Sequence, residues 1–117
     1  MNDWCAFDGD SEVGCTWSNL ELHHIVPKQT IKGQYSYWHG LMASVREERA
    51  LPASLPPMDV ALADRRNLLP LCRRHHELVT NKRIYVARSM LPDGIWLFAT
   101  ELGVRWYLDR WFAERVA

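Results

Sequence analysis

The chain has 117 residues, 48% of them hydrophobic, and its 14 basic and 14 acidic side chains cancel to a formal net charge of zero. That length suits one domain with its own core, small enough for a bound metal to matter to stability, and the absence of any long uninterrupted apolar run argues against a membrane span. Zero net charge argues against a chain-wide attraction to nucleic acid, and the acidic start "MNDWCAFDGD" has neither the basic nor the apolar region of a secretion signal, so a cytoplasmic location is expected.

The charges are unevenly spread. Residues 1–21 carry five acidic groups and no Lys or Arg, whereas residues 65–88 carry Arg65, Arg66, Arg73, Arg74, Lys82, Arg83 and Arg88 against Glu77 alone. A basic face is therefore compatible with overall neutrality.

In chain order, "NLELHHI" alternates apolar and polar residues as a half-buried strand does, and Pro27 ends it. Residues 29–63 form an insertion, with helical character in "YSYWHGLMASVREERAL" and an extended connector in "PASLPPM". "NLLPLC" reads as a short apolar strand, and "RRHHELVTNKR" as a helix that begins just after Cys72. "MLPDGIW" carries a turn signal that predicts a hairpin or a break between two helices.

The tail has Val104, Tyr107, Leu108 and Trp111 at i, i+3, i+4 and i+7, with the pairs Glu101/Arg105 and Arg110/Glu114 on other faces. This predicts an amphipathic helix that packs on the core or, alternatively, serves a homodimer interface. The aromatic residues Tyr35 and Trp38 and the nearby His39 of the insertion fit packing better than chemistry, although the two aromatic rings also suit stacking on bases.

The three cysteines are all used by one metal scheme. Cys72 and His75 form C-x2-H across a strand-to-helix junction, where the helix N-terminus favours thiolate charge. Cys5 and Cys15 complete a Cys3His set suited to tetrahedral zinc, with Asp8 as a rival fourth ligand.

Four of the five histidines fall in two doublets, His23-His24 and His75-His76. The ordered set in "LELHHIVP" and "DRRNLLPLCRRHH" resembles the HNH endonuclease family, over residues 4–27 and 64–82. His75 stands where that family often has a second cysteine, and the first knuckle is C-x9-C instead of the usual C-x2-C. The resemblance implies an α+β protein with a ββα-metal core, extended here by the insertion at 29–63 and a C-terminal segment at 83–117.

It also implies a DNA endonuclease that leaves 5′-phosphate and 3′-hydroxyl ends. His24 matches the general base, His23 and His76 match the ligands of one catalytic divalent ion, and Asn67 matches the residue that braces the loop carrying the base. A histidine with an ordinary pKa near 6.5 can take a proton from water around neutral pH. The family suggests Mg or Mn as the ion, while paired imidazoles also accept Ni, Co or Zn. Arg65, Arg66, Arg73 and Arg74 bracket the motif and are expected to contact phosphates.

Phage, mobile-element and restriction settings all fit this expectation. The rival reading is a non-catalytic, zinc-stabilised treble-clef module that binds nucleic acid or protein. Adjacent residues on a regular strand point to opposite faces, so the expected site also calls for strong twist at His23-His24.

Overall fold

A computed structural model describes residues 5–7 and 20–112. Among the described residues the first element is the strand β1 (Glu21–His24), closed by Pro27, after which helix α1 (Lys28–His39) buries Ile31 and Tyr35 one turn apart. The helix stops at Gly40. A short polar helix α2 (Ala43–Glu48) follows, then the extended Pro-rich connector and helix α3 (Met58–Leu62), which starts after Pro57.

The insertion is held together by its aromatic residues. Tyr35 donates its hydroxyl to Pro56 O, and Trp38 donates its indole N–H to Pro52 O at 2.8 Å. Arg46 lies over the Trp38 ring at 3.5 Å, and the His39 ring packs against both Tyr35 and Trp38. These contacts give the rings a packing role.

Asp64 then caps a single 3-10 turn (Arg65–Asn67) and leads into the strand β2 (Leu68–Leu71), every residue of which is buried. Among the described residues, β1 and β2 form an antiparallel two-stranded sheet with Glu21 opposite Leu71 and His24 opposite Leu68. The strand next to β2 would need an N–H that Pro70 lacks, yet the Pro70 carbonyl is used, accepting Ala6 N–H at 2.8 Å. That bond draws residues 5–7 alongside β2.

Helix α4 (Arg73–Thr80) begins immediately after Cys72, as its composition predicts, and packs on both strands. The Pro-Asp-Gly signal is a turn between a single 3-10 turn (Arg88–Met90) and the start of the next α-helix. Gly94, at φ +82°, leads into α5 (Ile95–Leu102), and Gly103, at φ +77°, turns the chain into α6 (Arg105–Phe112). A Cβ at Gly103 would stand 2.8 Å from Gln34 Nε2 and 3.1 Å from Pro52, so glycine there serves both the left-handed backbone and the approach of the insertion.

One core joins most of these segments: Ile25 and Val26 after β1, Ile31 of α1, Ala61 of α3, Leu69 and Leu71 of β2, Phe98 and Leu102 of α5, and Val104 and Leu108 at α6 belong to the same cluster. Each of the larger of these fully buried side chains contributes about 1.5–3 kcal/mol. The insertion and the C-terminal helices are thus structural parts of the body that carries the hairpin.

The tail stripe is realised in part. Val104 and Leu108 are buried and Tyr107 is half-buried, but Trp111 is 60% exposed. The expected Glu101/Arg105 pair is not made, since Glu101 goes to Arg66 at 2.7 Å and Arg105 instead reaches Asp109 at 3.7 Å. Glu114, the expected partner of Arg110, lies outside the described residues. Among the described residues no helix is long and apolar enough to cross a membrane.

Candidate metal and histidine site

Two environments meet on the first turn of α4. Cys72 is the residue that caps this helix, its Sγ accepting the His75 N–H at 3.5 Å. From there His75 and His76 leave the helix about 100° apart. His75 is fully buried, while the His76 side chain is 27% exposed.

On the buried side, His75 Nδ1 lies 3.0 Å from Cys72 Sγ and 3.6 Å from Cys5 Sγ. The three donor atoms all lie within 4.8 Å of one another. Ligands about 2.0–2.3 Å from a tetrahedral ion stand roughly 3.5 Å apart, so the spacing and the S2N donor chemistry fit zinc. Phe7 stacks on the His75 ring, 5.0 Å between centroids and 6° from parallel. Cys5 arrives through the Ala6–Pro70 bond, and both cysteines are buried. These three residues are therefore close enough to hold a metal ion; Cys15 and Asp8, the expected alternatives for the remaining ligand, lie outside the described residues.

On the other side, the strand register gives Glu21 and His23 one face of the hairpin and Leu22 and His24 the opposite one. Helix α4 covers the first face. The His76 ring stands edge-on to His23, 5.5 Å between centroids, and His76 Nδ1 lies 3.3 Å from a Glu21 carboxylate oxygen. Burial, then the neighbouring His76, then His24, push the His23 pKa down to about 4, so its ring is neutral near pH 7 and keeps a lone pair for a ligand. His23, His24 and His76 do not form a second cluster as tight as the sulfur site among the described residues.

His24 keeps the face opposite His23 that strand alternation gives it, where twist was expected to re-aim one of the two. It faces the insertion, where its Nε2 lies 2.8 Å from Leu62 O. A carbonyl only accepts, so Nε2 carries the hydrogen and, in the neutral ring, Nδ1 is the basic nitrogen.

Asn67 binds the chain directly after His24. Its Oδ1 accepts Val26 N–H at 2.7 Å, its Nδ2 donates to Val26 O at 3.0 Å, and its own carbonyl accepts Ile25 N–H at 3.0 Å. Asn67 is 1% exposed, so these bonds are shielded from competing water. Asn67 thus holds the backbone of the two residues that follow His24.

The arginines differ from one another. Arg66 donates to Asp64 at 2.8 Å and to Glu101 at 2.7 Å and lies over the Phe98 ring, tying the turn before β2 to α5. Hydrogen bonds from Arg66 hold both carboxyls below their usual range. Both pairs lie at the surface, where the Arg66 side chain is 32% exposed. Arg73 makes an exposed pair with Glu77 at 3.5 Å, too solvated to be a firm attachment. Arg65 and Arg74 are exposed, and Arg65 lines an open depression of about 510 Å³ together with Leu68, Pro70 and residues 90–93.

Glu21, Phe7 and the Leu62 carbonyl were not identifiable as site groups from residue types. Only Glu21 had a signal, its position two residues before His23 on an alternating strand. No family model, curated protein or solved structure matches the chain.

Proposed function

We propose that the chain is a metal-dependent DNA endonuclease with a ββα-metal core of the HNH type, its hairpin and α4 stabilised by structural zinc on Cys5, Cys72 and His75. The observation that carries this reading is the hairpin-helix junction itself: His23 and His76 from separate segments meet at 5.5 Å beside a histidine whose Nε2 is tethered to a carbonyl.

The roles follow from the local chemistry. His24 takes the proton of the attacking water on Nδ1, and the Leu62 carbonyl holds Nε2–H and stabilises the cation that forms. Asn67 keeps the backbone after His24 fixed, so the ring does not have to be ordered during the reaction. Glu21, His23 and His76 lie on the covered face of β1 and His24 on the opposite one, so this reading needs the phosphodiester to cross β1 within reach of both faces. A divalent ion held by His23 and His76 supplies, when bound, stabilisation for the negative charge on the phosphate and on the leaving oxygen. Arg65, exposed beside the turn that leads into β2, is a cation suited to a flanking phosphate.

The zinc-stabilised binding module rests on the same sulfur cluster alone, which needs no role for His24. Plasmid cleavage separates the two. The nuclease reading predicts nicking with Mg, Mn or Ni and a loss of about 10²–10⁴-fold in His24→Ala, with DNA binding and melting temperature retained. Cutting at the same rate by both proteins overturns the role of His24, and binding without cutting by the parent in every metal favours the module.

A further inference from the structure

A half-exposed carboxylate beside a half-exposed histidine contributes little to stability, because water screens the pair. Glu21 and His76 are such a pair, 43% and 27% exposed, and both line an open depression of about 300 Å³ at the mouth of the hairpin. Their contact still has a chemical consequence. The Glu21 carboxylate lies 3.3 Å from Nδ1, and an ionised carboxylate only accepts, so Nδ1 must be the protonated nitrogen of the neutral ring.

We propose that Glu21 is a positioning residue: it holds His76 in the Nδ1–H tautomer, so that Nε2 stays bare as a metal-binding nitrogen beside His23. This rests on the reading of His23 and His76 as metal ligands. In water a neutral histidine favours hydrogen on Nε2, which would block that nitrogen, so the acceptor at Nδ1 has to oppose an intrinsic preference. A hydrogen-bonded outer carboxylate also orients the ring and raises ligand basicity.

The strand accounts for how one residue serves both histidines. Glu21 and His23 are two apart in β1, on the face that α4 covers, so the chain that supplies one ligand also supplies the orienting group for the other. Arg73 and Glu77 line the same depression but pair with each other, which leaves Glu21 as the carboxylate on His76.

The test uses the zinc-loaded full chain and needs no substrate. Nitrogen-15 spectra of the imidazoles near pH 7.5 should show His76 protonated on Nδ1 in the parent. In Glu21→Ala the hydrogen should move to Nε2, and Mn²⁺ affinity, read by titration of the free-ion electron paramagnetic resonance signal, should fall about 10–100-fold with melting unchanged. Glu21→Gln keeps an acceptor oxygen and should retain the tautomer, with affinity within a few-fold of the parent. Unchanged tautomer and affinity in Glu21→Ala overturn the proposal. Equal losses in Gln and Ala also overturn it, because Glu21 would then act through its charge or as a ligand. If the parent never cuts nucleic acid, the nuclease reading fails, while the tautomer and the Mn²⁺ titration still decide the role of Glu21.

Discussion

His75 and His76 are consecutive residues on one helical turn, and the difference between them is the most instructive feature of the molecule. His75 is sealed among Cys5, Cys72 and the Phe7 ring, whereas His76 shares a water-accessible depression with Glu21 and stands against His23. Closed sulfur-rich sites suit structural zinc, and sites with open positions suit catalysis. A helix that starts at the end of a strand separates the two by simple rotation, so one doublet can serve both. β1 repeats the device with His23 and His24, this time through pleat alternation.

The sharpest way to break this comparison is to remove the sealed side. In Cys72→Ser the serine still caps α4, so the loss reports the metal more than the cap. The expected cost is more than roughly 3 kcal/mol, about 10 °C in Tm, together with loss of bound zinc by elemental analysis. An unchanged Tm and no zinc in the parent would reduce the sulfur cluster to ordinary packing.

The next effect concerns the brace between the two sides. Asn67→Ala leaves Val26 N–H and C=O buried without their partner, at a cost of about 2–5 kcal/mol. Urea unfolding should show it as a lower midpoint with the same slope. Cutting should fall further than stability explains, since the backbone behind His24 is loosened. A variant as stable as the parent would show that the Val26 bonds are replaced by water.

The smallest effect distinguishes the open side by pH. His23 has a folded pKa of about 4 against an ordinary 6.5, so the unfolded chain takes up the proton first as pH falls. The stability from this group is complete above pH 6.5 and is lost between 6.5 and about 4. Melts without added divalent ion should therefore fall less steeply with acid in His23→Gln, by about 1 kcal/mol or a few degrees. Parallel curves would mean that His23 is not desolvated in solution.

Much of this arrangement was legible because it is local. Alternation marked β1, C-x2-H at a strand-helix junction marked Cys72 and His75, and the length of "RRHHELVTNKR" marked α4. What was not legible depends on partners supplied by tertiary structure. The ion pair of Arg66 with Glu101, 35 residues away, could not be foreseen from either residue type. The acceptor for His24 is a backbone carbonyl of the insertion, which no side-chain pattern announces. Trp111 fits the apolar stripe by spacing, but the helix carries it past the core and leaves it exposed.

The proposed function needs two metal sites flanking α4, one sealed and one open. Anomalous diffraction from crystals of the zinc-loaded protein soaked in Mn²⁺, recorded at the zinc and manganese edges, tests it most directly. The account predicts a zinc peak in contact with Cys5 Sγ, Cys72 Sγ and His75 Nδ1, and a separate manganese peak between His23 and His76 with His24 Nδ1 unligated. Manganese absent from the histidine pair, or bound by His24 Nδ1, would contradict it.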